Sequence, residues 1–261
     1  MSYLRFFGLM TTSVLVTVSN SNFAQAAGEI EASASATQKA EPPKATDAIG
    51  RLTRYAVKPD SLEDFRKALA DYVSQSLTKE ENIEVEAYFE RDTPSVLWLI
   101  ERWTNRGGLE RFGNSQQSKV INSLEHTALS TNATTYYVTD LEPLSKQQWR
   151  RAASAEDHPI TLMLFVDSKE GTQSEFKAAY HIAMPQFRSE PGVVTYQLSQ
   201  VLGEATKFVT YEKFRSQDAF QYHLNFPPIK PVIDYLHTSI KKQPFEAGLH
   251  SLVEFAPLMR E

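Results

Sequence analysis

Cysteine is absent from the 261 residues. That removes disulfides, thiolate metal centres and cysteine nucleophiles together. A basic excess is missing too: 27 Lys and Arg stand against 32 Asp and Glu, a formal net charge of -5. Nucleic acids and anionic membranes select basic patches, so neither is expected as a partner. No glycine-rich phosphate loop follows a strand, no serine nucleophile motif occurs, and no His, Asp and Glu set has metal-ligand spacing. What remains is 41% hydrophobic and 23% charged, a globular composition rather than a disordered one. The length allows one large domain or two of ordinary size.

The apolar stretch from Phe6 to Val18 is too short, and too broken by Thr11, Thr12 and Ser13, to span a bilayer. With Arg5 before it and Ala24-Gln25-Ala26 after it, it reads as a secretory leader over residues 1–26, cleaved before Ala27; the alternative is an uncleaved N-terminal anchor. The expected location is therefore secreted, in the periplasm, with no integral membrane span after cleavage. Residues 27–48 are rich in Ala, Ser, Glu, Lys and Pro, lack apolar periodicity and read as a disordered tether.

Beyond the tether, one plan is written twice. In residues 49–144 a strand carrying Leu52, Tyr55 and Val57 precedes a helix that Asp60 or Ser61 would cap. Its stripe is Leu62, Phe65, Leu69, Tyr72 and Val73. Strands at 83–89 and 96–103, a looser helix from Asn105 to Leu124 and a strand at 134–141 complete the order β-α-β-β-α-β. Residues 145–158 read as a polar linker with a helical turn near Trp149. Residues 159–258 then repeat the order. Thr172 and Glu175 form a capping-box pattern, Pro185 predicts a kink, and Pro191-Gly192 predicts a turn with φ > 0 at the glycine. Phe65 and Phe176, Ile83 and Val194, Leu97 and Phe208, Glu101 and Glu212, and Leu109 and Phe220 all stand 111 residues apart. A fixed offset across helix, strand and helix marks a tandem duplication. The fold class is thus α+β: two ferredoxin-like units whose sheets bury each other in a barrel within one chain.

The second unit carries Arg188-x-Glu190-Pro191-Gly192-x-x-x-Tyr196, then Tyr211-Glu212-x-Phe214, then Ser216-x-x-Ala219-Phe220-x-x-His223. On these residues it resembles the antibiotic biosynthesis monooxygenase family, a dimeric α+β barrel group that includes cofactor-independent quinol monooxygenases. The first unit resembles that family only through its pattern and through Glu101, Trp103 and Leu109. It has Leu77, Lys79, Glu80, Glu81 and Val85 where the second has Arg188, Glu190, Pro191, Gly192 and Tyr196, and Phe112 in place of His223. The resemblance implies a barrel, a small aromatic or quinol-like partner and no cofactor. Relatives that handle haem exist, but the Asn expected on a first strand for that chemistry is missing from both units.

Cofactor-free oxygenation requires a base for a phenol or quinol proton and a site that excludes water. His223, three residues after Phe220, faces the sheet and is the catalytic candidate; its structural alternative is a simple hydrogen bond to a neighbouring element. Strand alternation sets Phe208, Thr210, Glu212 and Phe214 on one face, and a carboxylate there needs a partner. As a dyad, Glu212 would orient His223; as a structural group, it would pair with Arg188 or a helix N-terminus. Tyr196, Tyr211, Tyr222, Phe208 and Arg188 are the expected substrate-binding set, with ordinary packing as the alternative for the aromatic residues. The expected site is one pocket in the second unit. The rival readings are a non-catalytic barrel that holds an apolar ligand, and a packed structural barrel without a cavity, for which a filled interior around Tyr196 and Phe208 would speak. The pseudo-dimer leaves room for two chains to pair again.

Overall fold

The computed structural model describes residues 47–151, 154, 156–242, 245 and 247–257. The expected leader and all but the last two residues of the tether lie outside the described residues. The first unit runs β1 (Ile49–Ala56), α1 (Leu62–Leu77), β2 (Asn82–Glu90), β3 (Val96–Trp103), α2 (Arg106–Gly113), α3 (Gln116–Ala128) and β4 (Thr134–Leu141). A short α4 (Lys146–Trp149) lies in the connection. The second unit runs β5 (Ile160–Asp167), α5 (Gln173–Ser189), β6 (Val193–Val201), β7 (Lys207–Phe214), α6 (Gln217–Asn225), α7 (Lys230–Thr238) and β8 (Leu249–Ala256).

The eight strands close into one barrel in the order β1-β3-β2-β8-β5-β7-β6-β4, antiparallel throughout. Each unit supplies a four-stranded sheet with its first and third strands at the centre. The sheets meet at two seams, β2 with β8 and β4 with β6, so the fourth strand of each unit joins the second strand of the other. Closure leaves no open sheet edge. Strand alternation separates three cores. On β3, Leu97, Leu99 and Trp103 face the first unit's helices, while Trp98 and Ile100 face the barrel interior. On β7, Phe208 and Phe214 face the second unit's helices, while Val209 and Tyr211 face inward. This two-faced burial turns two marginal sheets into one stable body.

Local details depart from the sequence reading for identifiable reasons. Ser61 stands at the N-cap of α1, but its side chain makes no capping hydrogen bond, because Pro59–Ser61 already forms a 3-10 turn. The single helix expected from Asn105 to Leu124 is two helices. Asn105 Oδ1 accepts from Gly108 N at 2.8 Å to start α2, and Ser115 Oγ accepts from Ser118 N at 3.2 Å to start α3. Thr172 does not form the expected capping box; its hydroxyl donates to Lys169 O and meets the Tyr235 hydroxyl at 2.6 Å. α5 continues through Pro185 to Ser189, with the proline exposed.

Gly192 is not left-handed; the described glycines with positive φ are Gly171, Gly203 and Gly248. Glycine is needed at 192 because an added Cβ would lie 2.2 Å from Ala219 Cβ. The requirement is therefore the close approach of α6, not turn geometry. The connection is also more than a spacer. Ser145 and Gln148 form a capping box, Trp149 is buried, and Arg150 donates to the carbonyls of Leu77, Asn82 and Ile83 and to Asn82 Oδ1. It straps one end of the barrel.

Candidate functional site

Ser216 Oγ accepts from Ala219 N at 3.1 Å and sets the start of α6, which turns His223 into the layer between helices and sheet. His223 is the only fully buried residue of α6 and is 2% exposed. Phe187, Phe214 and Tyr196 surround its ring at 4.7, 5.0 and 5.4 Å between centroids. Its Nδ1 lies 2.8 Å from Oε1 of Glu190, the residue that ends α5. Glu190 Oε2 is buried and has no hydrogen-bond partner among the described residues. His223 Nε2 likewise has no hydrogen-bond partner there.

Glu212 is not the carboxylate that holds His223. Its Oε1 accepts from Thr210 Oγ1 at 2.7 Å, and the Tyr196 hydroxyl lies close enough to favour its charged form. Among the described residues no cation pairs with the Glu212 carboxyl. Burial pushes the Glu212 carboxyl up to about 7, against the pull of the Thr210 and Tyr196 hydrogen bonds. Burial, assisted by the Glu212 charge, pushes Glu190 up to about 7. Burial pulls His223 down to about 4, so the imidazole is neutral at physiological pH. The Glu190–His223 hydrogen bond then holds a proton that either partner can carry near pH 7.

The first unit shows what the same strand position does when it is only structural. Glu101, 111 residues before Glu212, accepts from Arg51 Nε at 2.6 Å, Tyr72 OH at 3.0 Å and Trp103 Nε1 at 2.7 Å. At the matching positions the second unit has Leu162, Ala183 and Phe214. Every one of those donors is gone, including the counter-charge. Lys79 and Phe112 stand where the second unit has Glu190 and His223. One unit closes its buried carboxylate with a cation; the other leaves two carboxyls and a histidine without one.

The five expected substrate-binding residues do not line one pocket. Tyr196 belongs to the cluster. Phe208 is packed against Phe176 at 4.9 Å in the second helix–sheet core. Tyr211 points into the barrel, where its hydroxyl and that of Tyr88 both donate to Glu86 Oε2, whose other oxygen accepts from Lys213 Nζ at 2.7 Å. Tyr222 is exposed and stacks on Phe226. Arg188 is taken up by neutral acceptors, the carbonyls of Tyr196 and Glu142 and Gln197 Oε1. Alternation alone separates Tyr211 from Phe208, one face apart on β7.

Two further buried groups escaped the sequence reading. Glu190 sits inside a motif that reads as a turn, and only the return of α6 brings it to His223. His250 lies in the barrel with Nδ1 3.0 Å from Glu90 Oε1 and its ring 5.3 Å from Trp98. Free space lies at the strapped end of the barrel. A void of about 60 Å³ touches Arg188, Val193, Val194 and Tyr196. A larger cavity of about 330 Å³ lies on the first unit's side, bounded by Ile49, Ile83, Arg102, Asp140, Leu144 and Trp149 among others. The expected pocket in the second unit is thus the smaller of the two. Among the described residues no three His, Asp or Glu side chains converge to hold a metal ion, and no helix is long and apolar enough to cross a membrane.

The sequence profile of antibiotic biosynthesis monooxygenases matches this chain twice, over residues 48–123 and 159–233. The chain belongs to the antibiotic biosynthesis monooxygenase family. One match falls in each half of the barrel, ending before its fourth strand, so this family member carries its domain in tandem. An uncharacterized protein of Synechocystis is 28% identical over 88 residues, which are 34% of this chain and 55% of that relative; the chain thus spans about half the length of that relative. Two crystal structures, of proteins provisionally named monooxygenases from Lactobacillus acidophilus and Fusobacterium nucleatum, superpose with TM-scores of 0.66 and 0.65 at 13% and 15% identity. Each covers 80% of this chain, and the match takes in 94% and 93% of theirs. An anthrone oxidase-like protein superposes with a TM-score of 0.55 at 12% identity, over 82% of this chain and 95% of its own. At such identities the likeness is one of fold.

Proposed function

We propose that this family member is a cofactor-independent monooxygenase for a small phenol, quinol or anthrone-like molecule, with its chemistry in the second unit. The observation that carries the reading is the cation-free cluster of Glu190, His223 and Glu212, set against the closed Glu101–Arg51 pair at the same place in the first unit. When Glu190 is ionised it accepts from Nδ1–H and fixes the tautomer in which Nε2 holds a lone pair. Nε2 takes the substrate's hydroxyl proton, and the imidazolium formed is stabilised by the Glu190 carboxylate. Tyr196 and Glu212 hold the opposite wall.

The deprotonated substrate is the only reductant required. It passes one electron to dioxygen, and the resulting superoxide and substrate radical join at a ring carbon as a peroxide. Breakage of the O–O bond leaves one oxygen on carbon as a carbonyl and releases the other as water: SH2 + O2 gives SO + H2O. The void of about 60 Å³ beside Tyr196 is bounded by Leu144, Gln148, Arg151, Arg188 and β6 and not by α6, so access of a ring system to the buried His223 requires α6, whose one fully buried residue it is, to lift.

A second reading has an observation of its own. Tyr196 and Phe208 are 2% and 0% exposed in a filled core, which suits a barrel that binds or merely packs. Oxygen uptake with a panel of quinols and anthrones separates the readings. The enzymatic one expects uptake by the wild type, reduced at least about a hundredfold in His223→Ala. No uptake, or equal uptake by both, refutes it. The leader and tether would deliver this barrel to the periplasm; cell fractionation finding the full-length chain in the cytosol would oppose that.

A further inference from the structure

The second asymmetry between the units lies inside the barrel. Arg102 and Lys213 occupy equivalent inward positions, 111 residues apart. Lys213 is paired with two carboxylates: Nζ donates to Glu86 at 2.7 Å and Glu254 at 2.8 Å. Arg102 is 2% exposed and is not saturated. Its Nε donates to Asp140 Oδ2 at 2.8 Å and its Nη2 to Ser199 Oγ at 3.4 Å. Its Nη1 is buried with no hydrogen-bond partner among the described residues. Beside it lies the cavity of about 330 Å³, within the size range of ligand sites. Trp149, from the strap, stacks on the guanidinium at 3.9 Å; Ile49, Ile83, Pro143 and Leu144 give the wall its apolar part, and Asp47, Thr139 and Asp140 its polar part.

We propose that this cavity is a ligand site, distinct from the Glu190–His223 cluster, for an uncharged, largely apolar molecule bearing one carbonyl oxygen that Arg102 binds. The charge balance selects the class. Arg102 is already neutralised by Asp140, whose Oδ1 is in turn held by Ser199 Oγ at 2.6 Å. A carboxylate would bring a further negative charge beside Asp47 and Asp140, with Arg102 already paired. A pure hydrocarbon would fill the volume but leave a buried charged donor unmet. A carbonyl on an apolar body satisfies both the donor and the wall. The first unit, without a proton-handling cluster of its own, would then keep a binding role.

The test is calorimetric titration of the full chain with three molecules of one shape: 1-acetonaphthone, 1-naphthoate and 1-ethylnaphthalene. Binding of 1-acetonaphthone about tenfold or more tighter than either of the others is the expected result. No binding of the ketone, affinities within about threefold of one another, or preference for naphthoate overturns the proposal. Ile83→Trp and Leu144→Trp fill the cavity and should weaken ketone binding by about tenfold or more. Undiminished binding in either, once its thermal melt shows it folded, overturns the site. If neither variant folds, the three-probe series on the wild-type chain decides alone. The readout is binding, so its failure leaves the oxygen-uptake test of the second unit untouched.

Discussion

Replacing Glu212 with Gln should stabilise the protein, and only at high pH. The side chain is buried, accepts from Thr210, lies beside the Tyr196 hydroxyl, and among the described residues has no cation paired with it. Its carboxyl ionises at about 7 in the fold against 4.5 unfolded. A raised folded value means that the group's contribution is fully present below pH 4.5 and is lost as pH rises through 7. The 2.5-unit difference between those two values corresponds to about 3 kcal/mol. Gln keeps an oxygen for both donors and never acquires the charge. Urea unfolding of Glu212→Gln and wild type should give similar stabilities at pH 4 and a gain for the variant approaching about 3 kcal/mol at pH 9. The equivalent change in the first unit should do the reverse. Glu101→Gln strands the buried end of Arg51 and should destabilise by about 3–5 kcal/mol at neutral pH. A Glu212→Gln variant less stable than wild type at pH 9, or a difference that does not change with pH, would refute the claim that the second carboxyl is uncompensated.

Three other outcomes follow from the same geometry. Gly192→Ala drives a methyl into Ala219 and should destabilise by about 1–3 kcal/mol; thermal melts should show recovery on adding Ala219→Gly. Arg150→Ala removes four hydrogen bonds from the strap, and limited proteolysis should cleave the connection near residues 150–158 faster than in wild type. Oxygen uptake should rise with pH through about 7 as Glu190 ionises and fixes the His223 tautomer. Glu190→Gln should flatten that rise, and an unchanged profile would remove Glu190 from the mechanism.

The fold was largely legible because duplication and alternation are periodic signals. Ile49 and Ile160, Asn82 and Val193, and Val96 and Lys207 begin equivalent strands at the 111-residue offset found in the sequence. The site was legible only in part. His223 was placed correctly in the helix–sheet layer by its spacing from Phe220. Its carboxylate partner was not, because Glu190 reaches it through the packing of α6 against Gly192, a contact between distant elements. Tyr211 and Tyr222 share only residue type with Tyr196: strand parity sends Tyr211 into the barrel and helix phase leaves Tyr222 exposed, while Arg188 stays beside Tyr196 by donating to its carbonyl. Trp149 and Arg150 lie in a polar stretch whose sequence pattern gives no sign that it folds back over the barrel end. Arg102 and Lys213 are both cations at equivalent positions, and which neighbours satisfy each is set by the closed barrel.

The second unit holds a neutral histidine paired to a carboxyl, with no cation among the described residues to neutralise the pair. Nitrogen-15 NMR titration of the His223 imidazole measures this directly. The predicted result is a neutral ring from pH 8 down to about 5, with the proton on Nδ1 toward Glu190 where that carboxyl is ionised, and protonation only near 4. An imidazolium at pH 7, or titration at the ordinary histidine value, would contradict it.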